Sequence, residues 1–288
     1  MKRVLFIFAT ISCLMLLAGC KDPGDNGGGG DALWKHAAPL VDKVEVYAGD
    51  FLLETYQYTY DESGRLASLV RTDNAQKTEL LNLTCTYGEN GTMKAAGKFY
   101  PIATNRFITV TRDSRTVTYT GSWSGALTYT TTVDENGTAV STAASSNFAA
   151  AEGRYVSDME YSEQYTVKDG CITTAVKGSA VKTQSQRATR AESSSALTVN
   201  FTYGNDADRQ NFAVYLMDCD FPVWCAAGLP GCKKLITGIS YAAGQAGFPV
   251  SVKIDYSLNA SGDIQTATRT DYNGTETVLV RTYIFSYL

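Results

Sequence analysis

Histidine is almost missing from this sequence, which has one, His36, among 288 residues. A Ser-His-Asp or Cys-His catalytic arrangement needs an imidazole held in a packed site, and His36 lies where a glycine-rich segment joins the body of the chain. The same scarcity argues against histidine-based metal sites. A phosphate-binding loop is missing too, because residues 27–30, all glycine, are not followed by Lys and Ser or Thr. We therefore expect no enzyme activity, no cofactor and no metal.

Long apolar runs are missing after residue 17, which argues against a helical membrane protein. Before that point, Lys2 and Arg3 precede an apolar stretch over residues 4–17, shorter than the about 20 apolar residues of a membrane-spanning helix. The sequence Ala18-Gly19-Cys20 follows, and this ending resembles the lipobox of bacterial lipoproteins. The resemblance implies cleavage before Cys20, acylation of Cys20 by fatty acids such as palmitate, and a mature protein outside the cytoplasm.

These features divide the chain into a signal peptide (1–19), a lipidated cysteine with a flexible tether (20–38) and a single all-β domain (39–288). The start of the tether has no apolar side chain and includes four consecutive glycines, a composition typical of a flexible linker. Asp22 and Asp25 resemble the export signals of surface lipoproteins in some Gram-negative anaerobes. We expect a lipid-anchored outer-membrane protein exposed at the cell surface, and the sequence leaves the periplasmic face open.

Basic residues are outnumbered by acidic ones, with 25 Lys and Arg against 29 Asp and Glu. Loss of the signal peptide removes two basic residues, which brings the net charge to about −6. This charge argues against nucleic acid or anionic lipid headgroups as the main partner. We expect membrane contact through the N-terminal lipid alone, with a polysaccharide or a surface protein as the ligand.

Three of the seven cysteines, Cys219, Cys225 and Cys232, are crowded into fourteen residues. An oxidising compartment favours a disulfide among them over zinc, because their spacing does not match paired-thiolate zinc sites. Their pairing stays open, and an odd number leaves at least one thiol free. Cys85 and Cys171 lie in strand-like segments, and we expect both to be small core residues.

The body of the chain is a series of short alternating runs separated by turns. Tyr56, Tyr58 and Tyr60 occupy every second position, which places them on one face of a strand, and a turn from Asp61 to Gly64 follows. The pattern predicts an antiparallel hairpin meander of about a dozen strands that forms a strongly curved sheet or a closed barrel. Weaker copies of the turn occur at 88–91, 134–137, 168–170, 259–262 and 273–274.

Two segments depart from this pattern. Residues 205–218 are predicted to form one short helix, capped by Asn205 or Asp206, which together with the following loop plugs one end of the sheet. Residues 182–195 are polar and are expected to form a mobile loop. The apolar positions that carry the helix prediction are Phe212, Tyr215 and Leu216.

The unit Tyr58-x-Tyr60-Asp61-x-x-Gly64-Arg65-Leu66 resembles the tyrosine–aspartate hairpin repeats of large bacterial surface and toxin proteins. From residue 41 to the end, the arrangement is similar to a family of lipoproteins of Gram-negative gut anaerobes that have a porin-like β fold. That resemblance implies no reaction. It does not imply a pore either, because lipid-facing strands need an apolar outer band, and residues 108–120 carry Arg112, Asp113 and Arg115 among threonines.

The sequence therefore favours a non-enzymatic, lipid-anchored binding or accessory protein. Trp123 and Trp224 have Ser, Gly or Pro as neighbours, which suggests exposed turns where a tryptophan can stack on a sugar ring. One alternative is a periplasmic carrier of an apolar ligand inside the curved sheet. Another is a two-carboxylate hydrolase, although we interpret its candidates Glu54, Glu160 and Glu163 as solvated charges on strand faces.

Overall fold

A computed structural model describes residues 39–88, 92–99, 102–112, 116–122, 126–134, 139–149, 155–185, 188–210, 212, 215, 233–242 and 251–288. These residues form sixteen β-strands. The strands are β1 (Val41–Ala48), β2 (Phe51–Tyr60), β3 (Leu66–Asp73), β4 (Thr78–Tyr87), β5 (Thr92–Phe99), β6 (Ile102–Arg112), β7 (Thr116–Ser122), β8 (Ala126–Val133), β9 (Ala139–Ala149), β10 (Tyr155–Lys168), β11 (Cys171–Ser185), β12 (Ala188–Ala207), β13 (Lys234–Tyr241), β14 (Ser251–Leu258), β15 (Ile264–Asn273) and β16 (Glu276–Tyr287).

The strands follow one another around a single sheet, and each pairs antiparallel with the next along the chain. β1 also pairs with β16, in a register that places Val44 opposite Phe285, so the sheet closes into a barrel. Closure pairs the two edge strands of the described sheet with each other, so neither edge is left open to pair with another chain. The predicted all-β antiparallel meander is confirmed. It has more strands than the dozen expected, and the closed barrel is the shape that forms.

The barrel has two rims. The terminal rim carries the start of β1 and the end of β16, where the Leu288 N–H donates to the Leu40 carbonyl over 3.0 Å. It also carries the β2–β3, β10–β11 and β14–β15 turns. The distal rim, at the other end of the strands, carries the β1–β2 turn at residues 49–50 and the β15–β16 turn at residues 274–275. A tether that precedes β1 therefore joins the barrel at the terminal rim.

Side chains alternate between the two faces of the wall, as strand geometry requires. The inner face carries an apolar core, in which Val44, Leu69, Leu83, Val199 and Ile254 are buried, and each such side chain contributes about 1.5–3 kcal/mol. The described outer face is mostly polar, with apolar exceptions at Val176 on β11 and at Val278, Val280 and Ile284 along β16. The outward residues of β2, β4 and β14 include Thr55, Gln57, Thr59, Asn82, Thr84, Thr86, Lys253, Asp255 and Ser257.

The first predicted turn forms through the side chain of Asp61. Its Oδ1 accepts the N–H groups of Ser63 and Arg65 over 3.0 and 2.9 Å, and the Arg65 Nε donates to Oδ2 over 2.7 Å. Burial alone would raise the pKa of Asp61, but the Arg65 N–H and guanidinium lower it below its usual value. Gly64 has φ 76°, a conformation that residues with a Cβ rarely adopt. The predicted hairpin turn is confirmed, and positive φ recurs at Gly170, Gly262 and Gly274.

Five tyrosines join paired strands near the terminal rim in the same way. Each lies on an even-numbered strand, and its hydroxyl donates to a backbone carbonyl of the preceding strand over 2.6–2.9 Å. Such a hydrogen bond contributes about 1 kcal/mol net, and the ring adds buried apolar area. The alternating tyrosines of the sequence therefore act as repeated clamps. The donor and acceptor residues are Tyr60 and Val41, Tyr87 and Leu66, Tyr203 and Ile172, Tyr256 and Ile236, and Tyr287 and Ile264.

The mobile loop expected over residues 182–195 is wrong. Most of this segment lies in β11 and β12, where Lys182 pairs with Glu192 and Ala180 pairs with Ser194. Threonine and serine suit a strand whose backbone groups are satisfied by its neighbour, so polar composition alone does not indicate a loop.

The predicted start of the helix at Asn205 is also wrong. β12 continues to Ala207, which pairs with Lys234 of β13. Backbone pairing with β13 thus overrides the local capping pattern. Further along, Phe212 and Tyr215 have 3₁₀ geometry, and most of the remaining predicted helix lies outside the described residues.

Candidate functional site

Two aromatic residues of the β12–β13 connection fill the interior of the barrel on the side of the terminal rim. Phe212 and Tyr215, which we call the aromatic plug, are both buried. The Phe212 ring lies 5.2, 5.3 and 6.1 Å from the rings of Tyr256, Tyr283 and Phe285, two of them edge-on. Contacts of this geometry contribute beyond their buried area. The prediction that this segment plugs one end of the sheet is confirmed for these two residues.

Hydrogen bonds hold the polar groups of the aromatic plug. The hydroxyls of Tyr58 and Tyr215 lie 2.9 Å apart, and the Tyr283 hydroxyl donates to the Tyr215 carbonyl over 3.3 Å. The Phe212 N–H donates to the Asp208 carboxylate over 3.0 Å. Burial raises the pKa of both Tyr58 and Tyr215 well above the usual value, so both phenols are neutral at physiological pH.

The inner face becomes charged towards the distal rim. Arg71 makes two parallel hydrogen bonds to Glu54, over 2.8 and 2.9 Å, and the Tyr56 hydroxyl donates to the same carboxylate over 3.2 Å. On β15, Arg269 makes a second bidentate pair with Asp271 over 2.7 and 2.8 Å. Paired guanidinium–carboxylate contacts combine strength with fixed geometry. The Glu54–Arg71 pair is partly open to solvent, whereas the Arg269–Asp271 pair is buried.

Strand register places four residues side by side on the inner face at the distal rim. Phe51 pairs with Ala48, Arg281 pairs with Arg269, and the β1–β16 register continued by one residue places Ala48 beside Arg281. We call Phe51, Ala48, Arg281 and Arg269 the distal row. Phe51 is 78% exposed although it shares the inner face with buried neighbours, and Arg269 is 1% exposed. The row thus runs from solvent at one side to the protein interior at the other.

A second polar cluster lies on β8 to β11. Glu163 is 0% exposed, and its carboxylate accepts a short hydrogen bond from the Tyr165 hydroxyl. The chain of hydroxyls continues to Thr142 and Thr131, each step spanning 2.8 Å. The Lys177 ammonium lies 3.7 Å from the carboxylate. The interpretation of Glu163 as a solvated strand-face charge is therefore wrong, because the barrel encloses it among polar partners.

Several residues predicted to carry function lie outside the described part of the chain, and their roles stay predictions. They are the lipidation site Cys20, the disulfide candidates Cys219, Cys225 and Cys232, and the stacking candidates Trp123 and Trp224. The Glu160 side chain also lies outside it. Of the candidate carboxylates, Glu54 and Glu163 are described, and both are on the inner face.

The two cysteines in strand segments differ. Cys85 is buried and free, as expected of a core residue, and burial raises the pKa of its thiol to about 12. Cys171 is disulfide-bonded, and its partner lies among the residues that are not described. The expectation that Cys171 is a core thiol is therefore wrong. Strand pattern identifies where a cysteine lies but not which distant cysteine approaches it.

In the described residues, no three side chains of His, Cys, Asp or Glu come together as a metal site. Over the same part of the chain, no helix has the length and apolar character needed to cross a bilayer. The inner carboxylates face arginine or lysine instead, which makes them members of charge pairs.

No protein-family model matches the chain, and no curated protein matches it. Solved structures do. The chain is similar to the crystal structure of a porin-like protein from Bacteroides vulgatus ATCC 8482, with a TM-score of 0.50 and 14% identity over 87% of this chain and 99% of that chain. A porin-like protein from Bacteroides uniformis ATCC 8492 gives a TM-score of 0.39 and 11% identity over 86% of this chain and 98% of that chain. The first likeness shows a porin-like β fold, as the resemblance in the sequence implied.

Sequence reasoning missed the inward charge pairs, although the sequence contained a signal for them. Arg269 and Asp271 are two residues apart in a strand, a spacing that places both on one face. Glu163 has the same spacing from Tyr165, its hydrogen-bond partner, although its charge partner Lys177 lies on the next strand. Phe51 carried no comparable signal, because its position in the distal row depends on the closure of β1 against β16.

Proposed function

We propose that this protein is a lipid-anchored, non-enzymatic binding protein that displays a water-exposed barrel outside the cytoplasm, at the outer membrane. The observation that carries the proposal is the polarity of the wall. Strands that face lipid place apolar side chains outward and polar ones inward. Here β2, β4 and β14 place Thr, Asn, Gln, Ser and charged residues outward, and the described apolar core lies inward. The outward apolar exceptions are Val176 on β11 and Val278, Val280 and Ile284 on β16, too few to form a continuous band. This pattern supports a barrel surrounded by water, which the N-terminal lipid then holds at the membrane.

The alternatives receive less support from the interior. A carrier of an apolar ligand needs an unfilled apolar cavity, and the aromatic plug occupies the interior on the terminal side. A two-carboxylate hydrolase needs two carboxyl groups that face one bond. Among the described inner carboxylates, Glu54, Glu163 and Asp271 each face a cation of their own.

The anchor is tested by mass spectrometry of the mature protein from its native membrane. We expect an N-terminal Cys20 that carries acyl chains, and we expect Cys20→Ser to release the barrel from the membrane fraction. Several acyl chains hold a protein far more firmly than one, so the wild type should stay in the membrane fraction and Cys20→Ser should leave it. An unmodified Cys20 in membrane-bound protein would contradict the proposal.

The location is tested by adding a protease to intact cells. Surface display predicts digestion of the wild-type barrel without cell lysis, and a periplasmic protein in the same cells serves as the protected control. Digestion that requires lysis would place the barrel on the periplasmic face and refute surface display.

Purified barrel protein added to liposomes should also release no trapped dye, since its outer wall is mostly polar.

A further inference from the structure

The distal row is the part of the described inner face where an aromatic ring is open to solvent. Phe51 is the most exposed large hydrophobic residue described, at 78%, yet it lies on the same face as buried Val46 and half-buried Glu54. Burying such a ring against a ligand removes apolar area from water. Its exposure on an inner face indicates that the mouth of the barrel is open at this position.

The neighbours of Phe51 leave a gap and then offer hydrogen-bond donors. Ala48 lies next to Phe51 and is small, and Arg281 lies on the other side of Ala48. With strands about 4.8 Å apart, Phe51 and Arg281 are separated by about 10 Å at the backbone. A ring-shaped ligand of modest size can therefore lie over Ala48, with one face against the Phe51 ring and its edge towards the Arg281 guanidinium.

Charged groups converge below the gap. Arg269 and Arg281 pair across β15 and β16, and both lower the pKa of Tyr283, which burial raises. Glu54 pairs with Val46 and Tyr283 pairs with the same Val46, which places them in the next layer of the inner face. The site thus offers planar guanidinium and carboxylate groups, which bind pairs of neighbouring hydroxyls well.

We infer that the distal row is a carbohydrate-binding site, in which a sugar ring stacks on Phe51 and its hydroxyls bind the Arg281 guanidinium and the Glu54–Arg71 pair. A sugar has an apolar face and a hydroxyl-bearing edge, and the row offers a partner for each. The row spans four strands, about 14 Å, which is too small for the about 800 Å² that a stable protein interface buries on each partner. This inference rests on the proposed binding function and names its ligand class and its site.

The position of the row suits a ligand outside the cell. The tether joins β1 at the terminal rim, and the distal row lies at the other end of the same strand. β1 has eight residues, so the row stands about 25 Å further from the anchor than the point where the tether attaches. Anchoring at one rim and binding at the other keep the lipid and the ligand apart.

The test measures binding of the mature acylated protein, in detergent micelles, to oligosaccharides of glucose, mannose, xylose and galacturonic acid. We expect at least one to bind, and we expect Phe51→Ala to weaken that binding about tenfold while Phe51→Trp retains it. Leu288→Ala is the matched control, because Leu288 is also highly exposed, at 72%, but lies at the terminal rim. Phe51 is exposed, so its replacement should leave the unfolding midpoint unchanged.

Two results would overturn the inference. One is that none of the four sugar classes binds, and the other is that Phe51→Ala binds as tightly as the wild type. Neither result touches the proposed anchor and surface display, which acylation of Cys20 and protease access measure independently. Loss of those two properties with sugar binding intact would instead refute the proposed function alone.

Discussion

Burying a charged carboxylate away from water costs free energy unless polar partners surround it. The carboxylate of Glu163 is fully buried, and such partners do surround it. Tyr165 donates to it, Lys177 lies 3.7 Å away, and Thr142 extends the network. Removing one member of such a pair is strongly destabilising, because the other charge stays buried without it. Replacing both charges by apolar groups of similar size removes that penalty.

We predict that Glu163→Gln lowers the free energy of unfolding by about 3 kcal/mol, because it removes the negative charge facing buried Lys177. Combining Glu163→Gln with Lys177→Met should recover at least half of this loss. Urea denaturation measures both. Asp255→Asn is the control, since the Lys253–Asp255 pair is largely exposed and its loss should leave the denaturation midpoint unchanged. A double variant as unstable as the single one would contradict the account.

The buried phenols make a prediction at high pH. Burial raises the pKa of Tyr58 and of Tyr215 in the folded barrel, whereas in the unfolded chain tyrosine titrates at about 10. A raised folded pKa means that stability is complete below pH about 10 and falls as the pH rises beyond it. We expect the phenolate absorbance of these tyrosines to appear together with unfolding. Tyr58→Phe should shift base unfolding to higher pH, and early ionisation in a still-folded barrel would contradict this.

At the scale of the element, the first hairpin shows how a turn fixes strand register. Asp61 satisfies the N–H groups of Ser63 and Arg65, so the chain reverses without unpaired backbone groups. Once the turn is fixed, Tyr58 and Leu69 pair across β2 and β3 on the inner face. A shift of one residue would turn both towards water.

We predict that Asp61→Ala lowers the free energy of unfolding by about 1–2 kcal/mol at neutral pH, because two N–H groups and the Arg65 guanidinium lose their acceptor. The pKa of Asp61 is lowered in the folded state, so this stabilisation exists above pH about 4 and disappears as the pH falls through the folded pKa. Urea midpoints over an acid pH series should therefore converge for wild type and variant. Glu62→Ala, at an exposed position in the same turn, should change little at any pH.

Local signals decided how much of the fold was predictable. Alternating tyrosines and Asp61 specified a hairpin because the interactions they make are with near neighbours in sequence. The position of Phe51 in the distal row depended on strands brought together by closure, which spacing along the chain does not reveal. The burial of Glu163 depended on the adjacent strands β9 and β11, which supply Thr142 and Lys177 to its cluster. The helix prediction failed at Asn205 because pairing of β12 with β13 extends past the capping residues. The prediction that Phe212 and Tyr215 face the interior was right, because their three-residue spacing places both on one side of a helical turn and both are buried.

At the scale of the whole molecule, the aromatic plug connects distant parts of the chain. Phe212 contacts rings on β14 and β16, and Tyr215 lies 5.6 Å edge-on from Tyr56 on β2. These strands lie on both sides of the seam where β1 meets β16. The plug therefore stabilises the closure of the barrel as well as filling it.

We predict that Phe212→Ala lowers the free energy of unfolding by about 3–5 kcal/mol, because it opens a cavity in a fully buried cluster. Phe285→Ala should cost a similar amount, and the two together should cost less than their sum, since each ring contacts the other at 6.1 Å. A double-mutant cycle in urea measures this. Leu83→Ala combined with Phe212→Ala is the control, and their losses should add, because Leu83 lies on β4, away from the β14 and β16 rings that Phe212 contacts.

The placement of Leu40 beside Leu288 at the terminal rim sets how the barrel responds to mechanical load. If a ligand grips the distal rim while the anchor holds residue 39, tension runs along the axis of β1. Pulling in that direction shears the ladders to β2 and β16 together, so many hydrogen bonds resist at once. Force applied across the strands would instead unzip them one at a time, and this attachment geometry avoids it.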